Sequence, residues 1–140
     1  MPTKNSLYLP RPLINKLLAH AQKNPDIEVC GLIGNNVENR KRYYPIDNVS
    51  KNPDCHFLMD APQQIKTMKK MREEQQELFA IVHSHPKAKA EPSQQDIESN
   101  NYKNTFFIII SLNTEGVLEM RAYIQQQNNM QEVDLILETT

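Results

Sequence analysis

The sequence predicts a mixed α/β domain in which a central β-sheet is covered by helices. Short apolar runs, several of them rich in β-branched and aromatic residues, indicate the strands. Between these runs lie longer stretches whose apolar residues recur with helical spacing. The chain of 140 residues suits a single domain, 1–140, which is large enough to bury a core without disulfides or structural metals to stabilise it.

The first half of the chain opens with a short strand and a helix. The strand is predicted at Leu7–Leu9. Apolar residues from Leu13 to Ala21 then form a helical stripe, which Asn24-Pro25-Asp26 ends. Proline is tolerated in the first turn of a helix, so Pro12 is compatible with this start. Three further strands are predicted in this half, at 29–34, at 40–49 with an interruption near Pro45, and at 56–59.

The second half is predicted to contain two helices and four strands. The first helix has Asp60 as its N-cap and Pro62 in its first turn, and we expect it to end near Leu78. The apolar run 79–82, a short strand, then leads directly into His83-Ser84-His85-Pro86. A short helix is predicted at 93–102, strands at 106–112, 117–125 and 133–138, and a polar turn or loop at 126–131.

Composition and charge narrow the classes of function. The formal net charge is −1, so the basic surplus typical of a non-specific nucleic-acid binder is absent. No apolar stretch is long enough to span a bilayer, and residues 1–9 lack the charged-then-apolar pattern of a signal peptide. The two cysteines, Cys30 and Cys55, are too few for a disulfide framework. We therefore expect a cytoplasmic protein with no nucleic-acid or membrane partner. In that compartment a disulfide between Cys30 and Cys55 is disfavoured. The oligomeric state stays open.

Two histidines separated by one residue are the strongest chemical signal. Residues i and i+2 of a strand point to the same face, so His83 and His85 can ligate one ion together. A catalytic zinc site needs three protein ligands and one open position. Asp96 is the natural third ligand, because it lies one turn into the helix that begins at Ser93. The intervening segment is long enough for the chain to reverse and bring this helix over the histidines.

Each of these residues also has a purely structural interpretation. A His-x-His pair often occurs on a strand without a metal. Ser93-Gln94-Gln95-Asp96 resembles a helix capping box, and we expect capping and metal binding to compete for Asp96, since one carboxylate cannot fully serve both roles. Glu28 opens a predicted strand, where an acidic residue is usually just solvated; a catalytic role requires this strand to lie beside the histidine strand. His20 and His56 fit no ligand spacing and are interpreted as ordinary surface or edge residues.

Together these residues form a known pattern. It consists of Glu28-Val29-Cys30-Gly31-Leu32-Ile33-Gly34, then His83-Ser84-His85, seven residues, Ser93, two residues and Asp96. This pattern resembles the JAMM motif of the Jab/MPN metalloprotease family, in which an upstream glutamate is followed by His-Ser/Thr-His, seven residues, Ser, two residues and Asp. The spacing matches without a gap, and the order of elements fits along essentially the whole chain. The Glu-x-Cys-Gly-Leu segment and Pro86 also resemble the family's small prokaryotic members.

The resemblance implies a fold similar to that of cytidine deaminases, with a curved mixed sheet flanked by helices. It also implies one zinc ion on His83, His85 and Asp96, with Glu28 as the general acid/base and Ser93 as a stabiliser of the oxyanion. The implied activity is hydrolysis of a peptide or isopeptide bond. All five positions are filled, which argues against the inactive scaffold branch of the family. The large insertions with which eukaryotic relatives grip ubiquitin chains are lacking, so a specialised polyubiquitin enzyme is not expected.

The substrate class follows from the same resemblance. Stand-alone prokaryotic proteins similar to this one process ubiquitin-like sulfur-carrier proteins and cut just after the carrier's C-terminal Gly-Gly. The main alternative is an MPN-type module that binds a partner protein without catalytic activity. A third hypothesis is another zinc hydrolase or nuclease with a His-x-His pair. The chain is too short for a barrel amidohydrolase and lacks both the His-Glu-x-x-His helix of common zinc proteases and the Pro-Cys-x-x-Cys of zinc deaminases.

Three residues near the motif have open roles. Cys30 lies two residues after Glu28, on the same strand face, and is interpreted as a small buried core residue in preference to a neighbour of the metal. Lys87 and Lys89 flank the motif in the loop that follows the histidines. They either steer an acidic substrate tail or are simply solvated, and whether a partner orders the loop is open as well.

Overall fold

The seven strands of the chain form a single mixed β-sheet. The structure, a computed structural model, describes residues 6–100, 102, 104–113, 118–126 and 128–138. Within them the sheet order is β1-β7-β6-β5-β4-β2-β3, with β1 parallel to β7, β4 parallel to β5 and every other pair antiparallel. The elements are β1 Ser6–Pro10, α1 Arg11–Lys23, β2 Cys30–Asn35, β3 Lys41–Ile46, α2 Ala61–Glu73, β4 Glu77–His85, α3 Gln94–Ser99, β5 Phe106–Ser111, β6 Glu119–Gln126 and β7 Asn129–Glu138. The predicted mixed α/β fold is confirmed.

Each face of the sheet packs against its own helical layer. Successive strand residues point to opposite faces of the sheet. The central strands β4 and β5 carry buried residues at consecutive positions, so both of their faces are covered. On one face, Val82 of β4 packs in a cluster with Leu13 and Leu17 of α1. On the other face, Ile81 of β4 packs in a cluster with Met71 of α2, and Ile97 of α3 packs against that cluster. The two candidate histidine ligands therefore lie on a strand that is packed on both faces.

The first helix follows the predicted stripe closely. Leu13, Leu17 and Ala21 are its buried residues, and they recur at a spacing of four, which places them on one helical face. Pro12 stands in the first turn, where its missing N–H costs no hydrogen bond. The helix ends at Lys23, one residue before the predicted Asn24-Pro25-Asp26 terminator.

The second helix ends earlier than predicted, and this lengthens the histidine strand. The Asp60 carboxylate accepts a hydrogen bond from the backbone N–H of Gln63 at 3.1 Å, so the predicted N-cap is confirmed. The expected end near Leu78 is wrong, because the helix stops at Glu73 and Gln75 adopts a left-handed φ of 58°. Strand β4 consequently begins at Glu77 and is 9 residues long.

Two other predictions about local structure differ from the fold. The strand predicted at 56–59 is wrong, because within it only Met59 forms a bridge, with Asn48. The polar turn predicted at 126–131 is shorter, because β6 runs to Gln126 and β7 begins at Asn129. Val117, at the predicted start of β6, lies outside the described residues.

The pairing of β2 with β4 creates the site. The register is antiparallel and pairs Cys30 with His83, so the residues just before Cys30 run alongside the end of β4.

Within the described part of the chain, none of the helices has the length and apolar character required to cross a bilayer.

Candidate metal centre

Strand β4 presents two imidazoles on the same face of the sheet. His83 and His85 are both buried, and their Nε2 atoms lie 3.1 Å apart. Ser84, between them, points to the opposite face, as strand geometry requires. The predicted convergence of the two histidines is confirmed by this geometry.

Asp96 closes the group from the first turn of α3. Its Oδ2 lies 3.1 Å from Nε2 of His83 and 3.3 Å from Nε2 of His85. The same Oδ2 accepts a hydrogen bond from the backbone N–H of Ser93 at 2.9 Å, which completes a capping box. Capping therefore does not turn Asp96 away from the histidines, although we expected the two roles to compete for this carboxylate. A carboxylate oxygen has lone pairs for both, and the cap fixes the carboxylate in place.

Glu28 reaches the same point from the segment that precedes β2. Glu28 is only 5% exposed. One ligand atom from each of Glu28, His83, His85 and Asp96 lies within 4.8 Å of the other three. The backbone N–H of Glu28 donates to the carbonyl of Pro53 at 2.7 Å. The condition that a catalytic role for Glu28 requires is therefore met, because its segment lies beside the histidine strand.

Burial and neighbouring charges move the pKa values of the group apart. Burial raises the pKa of Glu28 to about 7 against the favourable charge of His85. Burial also lowers the pKa of His83, which favours a neutral imidazole. Burial acts in the opposite sense on Asp96, but the hydrogen bonds of its carboxylate with His83 and His85 outweigh it and hold the pKa of Asp96 far below its usual range. The site thus pairs an ionised carboxylate with one that gains and loses a proton near neutral pH.

The donor set fits a divalent metal. Nδ1 of His85 donates to the carbonyl of Lys89 at 2.7 Å, so in the neutral imidazole the lone pair lies on Nε2, which faces His83 and Asp96. Two imidazole nitrogens and a carboxylate oxygen thus point at one another at distances that a cation between them would bridge. Glu28 Oε1 and His83 Nδ1 are buried without a hydrogen-bond partner among the described residues. Nitrogen and oxygen ligands of this kind suit zinc and other first-row transition metals.

Ser93 is placed at the edge of the group. Its Oγ accepts the backbone N–H of Asp96 at 3.0 Å, so the serine is the N-cap of α3. The side chain is exposed and takes no part in the cluster of four ligand atoms. The hydroxyl hydrogen is not used by the cap, because in this bond the oxygen accepts.

Several residues beside the metal centre could not be found from sequence. A cavity of about 310 Å³ opens next to His83 and Asp96. Phe57 is part of its wall and stacks on the His83 ring, with centroids 4.5 Å apart. His56 also lines it, so its interpretation as an ordinary surface or edge residue is incomplete. Neither residue has a ligand spacing or belongs to a regular element, and the sequence holds no signal for them. The other residues that line the cavity are Leu58, Met59, Gln64, Ile81, Gln95, Ser99, Asn100, Tyr102 and Phe107.

The loop between His85 and α3 is anchored by the chain's own side chains. Three consecutive carbonyls accept hydrogen bonds: Ala88 from Ser111 Oγ, Lys89 from His85 Nδ1 and Ala90 from the Tyr123 hydroxyl. Ala90 is fully buried, whereas Lys87 and Lys89 are exposed. These three bonds tie the loop to β4, β5 and β6.

The cysteines are separate from the centre. Cys30 is fully buried, its thiol donates to the carbonyl of Ile46 at 3.3 Å, and burial raises the pKa of the thiol to about 12. The thiol faces a backbone carbonyl and is not one of the four ligand atoms that converge, so the interpretation of Cys30 as a core residue is supported. Cys55 is exposed, and both cysteines are free.

Two characterised relatives align over most of the chain. The first, from Thermus thermophilus, is named a probable TtuB-protein conjugate cleaving protease; it is 34% identical over 131 residues, which cover 94% of this chain and 82% of the relative. The second, the CysO-cysteine peptidase of Mycobacterium tuberculosis, is 24% identical over 119 residues, which cover 84% of this chain and 81% of the relative. Both are peptidases by name.

Solved structures share the fold of this chain, and a family profile matches most of its length. A solution structure of a protein from Desulfitobacterium hafniense matches with a TM-score of 0.82 at 28% identity, over 95% of this chain and 93% of that one. A JAB1/MPN domain protein from Archaeoglobus fulgidus shares the fold, with a TM-score of 0.61 at 18% identity, over 93% of this chain and 99% of that one. The profile of prokaryotic homologues of the JAB domain matches residues 10–123. The chain therefore belongs to the prokaryotic JAB homologues, which are small members of the JAMM metalloprotease family.

Proposed function

We propose that this protein is a zinc-dependent peptidase that hydrolyses the peptide or isopeptide bond after the C-terminal Gly-Gly of a ubiquitin-like or sulfur-carrier protein. The observation that carries the proposal is the convergence of Glu28, His83, His85 and Asp96 within 4.8 Å. Because the chain belongs to a family of metalloproteases, this geometry is best explained as an active site. The chain acts as one domain, 1–140, in the cytoplasm.

His83, His85 and Asp96 are the proposed zinc ligands. They supply two nitrogens and one oxygen, the three-ligand arrangement that leaves a position open at catalytic zinc. The Lys89 carbonyl orients His85, and the Ser93 backbone N–H orients Asp96. Such contacts to the ligands increase metal affinity. Bound zinc supplies Lewis-acid chemistry: it polarises a carbonyl and makes a nucleophile available near neutral pH.

Glu28 is the proposed general acid/base. Its pKa of about 7 lies close to neutral pH, where a group both accepts and returns a proton most effectively. The carboxylate takes a proton from the attacking water as the water adds to the scissile carbonyl. It then delivers a proton to the leaving amine as the C–N bond breaks. Oε1, which has no other hydrogen-bond partner among the described residues, is the atom suited to this transfer.

Ser93 is proposed to stabilise the oxyanion. Its Oγ accepts from the Asp96 backbone, which leaves the hydroxyl hydrogen to donate towards negative charge on the substrate oxygen. Removal of one such donor typically costs roughly 3–4 kcal/mol of transition-state stabilisation. The cap and the catalytic donor are thus two uses of the same hydroxyl.

The substrate class is drawn from the relatives. The names of the Thermus and mycobacterial proteins describe cleavage of a TtuB–protein conjugate and of a CysO–cysteine bond. Both describe removal of a group from a small carrier protein. We infer that this chain acts on a carrier of the same class, and that an amino acid, a peptide or a conjugated lysine is released.

The decisive experiment incubates the zinc-loaded protein with a sulfur-carrier protein extended by several residues beyond Gly-Gly. Mass spectrometry then locates any cut. We expect a single cut after the second glycine, abolished by a chelator and by Glu28→Gln. Stoichiometric binding of the carrier without cleavage would instead support an MPN-type binding module.

A further inference from the structure

Glu28 is held by contacts that are not part of the β-sheet. The pairing of β2 begins at Cys30, and Ser84 of β4 extends it to Val29, but neither the N–H nor the carbonyl of Glu28 bonds to β4. Its N–H donates to the carbonyl of Pro53 at 2.7 Å, and its carbonyl accepts from Nδ2 of Asn48 at 2.9 Å. Both partners belong to the segment 48–58, which contains no regular strand.

Asn48 uses its whole side-chain amide to hold this segment. Nδ2 donates to the carbonyls of Glu28 and His56, at 2.9 and 3.0 Å. Oδ1 accepts from the backbone N–H groups of Ser50 and Leu58, both at 3.0 Å. A primary amide has two donors and one oxygen with two lone pairs, so the hydrogen-bonding capacity of the group is fully used.

We propose that Asn48 is a positioning residue for Glu28, and this proposal rests on the proposed function. The amide ties the start of the segment to its end and ties both to the carbonyl of Glu28. It thereby sets the distance between the Glu28 carboxylate and the histidines. The sequence contains no signal for this role, because Asn48 is distant from the motif and touches none of the metal ligands.

The position of the Glu28 carboxylate depends strongly on the position of its backbone. Its Oε1 has no hydrogen-bond partner among the described residues, so no side-chain contact to that atom corrects a shift of the backbone. A displacement of about 1 Å at a reacting group costs as much as 10²-fold in rate. The metal ligands, by contrast, lie on β4 and α3 and are oriented by other groups.

The test compares Asn48→Ala with Ser50→Ala. The Ser50 hydroxyl braces the same segment through His56 Nδ1 at 2.9 Å and the Asn52 N–H at 3.1 Å, but it does not touch Glu28. We expect Asn48→Ala to lower kcat roughly 10–100-fold with KM and zinc content within about twofold of wild type. Ser50→Ala should keep kcat within about twofold of wild type, because it weakens the same segment without removing a contact to Glu28.

A double mutant tests whether the effect passes through Glu28. In the Glu28→Gln background, Asn48→Ala should change the residual kcat by less than about twofold, because two residues that act as a unit are not additive. A full additional loss in that background would overturn the proposal, and so would wild-type kcat in Asn48→Ala. If Asn48→Ala does not fold, Asn48→Asp replaces it. Aspartate keeps the acceptor for Ser50 and Leu58, but its second oxygen repels the carbonyls of Glu28 and His56, so kcat should fall at least as far.

Hydrogen exchange gives an outcome that does not depend on activity. In the metal-free protein, the amide of Glu28 should exchange at least about tenfold faster in Asn48→Ala than in wild type or Ser50→Ala, because its Pro53 acceptor is no longer held. Unchanged exchange would overturn the proposal even if the protein has no peptidase activity. An inactive wild-type protein with the expected exchange difference would instead refute the proposed function alone.

Discussion

The hydroxyl of Ser84 accepts a hydrogen bond from the backbone N–H of Val29 at 2.8 Å. The backbone N–H of Ser84 also donates to the carbonyl of Val29 at 3.0 Å. The residue between the two histidine ligands therefore holds the residue that follows Glu28. One side of β4 presents the two proposed histidine ligands, while the other side secures the segment that carries the proposed base.

Ser84→Ala should lower the free energy of unfolding. The substitution leaves the buried Val29 N–H with no side-chain acceptor, which costs about 1–3 kcal/mol. For a chain of this size the melting temperature should fall by roughly 2–4 °C per kcal/mol. Differential scanning calorimetry measures the change. Ser84→Thr keeps the hydroxyl and serves as the control; equal melting of Ser84→Ala and wild type would show that the hydrogen bond contributes nothing.

Glu28→Gln should abolish turnover without releasing the metal. Glutamine has nearly the same shape but cannot accept and return a proton, so we expect kcat to fall about 10²–10⁴-fold. Zinc content, measured by mass spectrometry of the native protein, should match wild type, because the proposed ligands are His83, His85 and Asp96. Wild-type cleavage by this variant would show that Glu28 is not the base.

The convergence of His83, His85 and Asp96 was predictable because it depends on spacing along the chain. A strand places His83 and His85 on one face whatever surrounds it, and a helix start fixes where Asp96 lies relative to Ser93. The dual role of Asp96 was not predictable, since it depends on whether the Oδ2 atom that caps α3 also meets the histidines, and only the packed structure decides that.

Residues that act through tertiary contacts were invisible in the sequence. Asn48 and Phe57 lie in a segment of irregular backbone, where neither periodicity nor turn chemistry predicts which group a side chain will meet. The end of α2 was misjudged for a related reason. Polar residues such as Gln75 and Gln76 are compatible with a continued helix, and a left-handed turn at Gln75 instead sends the chain into β4.

The contribution of Glu28 to the stability of the metal-free protein should fall as the pH rises from about 4.5 to about 7. The pKa of Glu28 is raised from 4.5 to about 7, so in this range the folded state binds more protons than the unfolded state, and a rise in pH favours unfolding. Above pH 7 the loss should level off. A rise of the pKa from 4.5 to about 7 corresponds to roughly 3.5 kcal/mol, and solvent screening reduces the expected loss to roughly 2–3 kcal/mol. Urea denaturation of chelator-treated wild type and Glu28→Gln at several pH values tests this. The two curves should meet at low pH and separate as the pH rises, with the variant more stable; parallel curves would contradict the assignment.

Removal of the metal should lower the melting temperature. A ligand that binds only the folded state at 1,000 times its Kd adds about 4 kcal/mol, which corresponds to roughly 10 °C here. Thermal denaturation with and without a chelator measures the difference. His83→Ala should abolish it. His20→Ala is the matched control, because Nδ1 of His20 pairs with the Tyr43 hydroxyl and lies outside the ligand group, so this variant should keep the full zinc-dependent shift.

Tyr123→Phe should loosen the loop that supports His85. The Tyr123 hydroxyl donates to the carbonyl of Ala90, and its removal leaves that buried carbonyl without this partner, at a cost of about 1–3 kcal/mol. Lys87 and Lys89 are exposed in the same loop, so trypsin reports its opening directly. We expect cleavage after these lysines to be several-fold faster in the variant, with Tyr8→Phe, a change on an exposed side chain of β1, cleaved at the wild-type rate. Equal cleavage in all three proteins would mean that the bonds from Ser111 and His85 suffice to hold the loop.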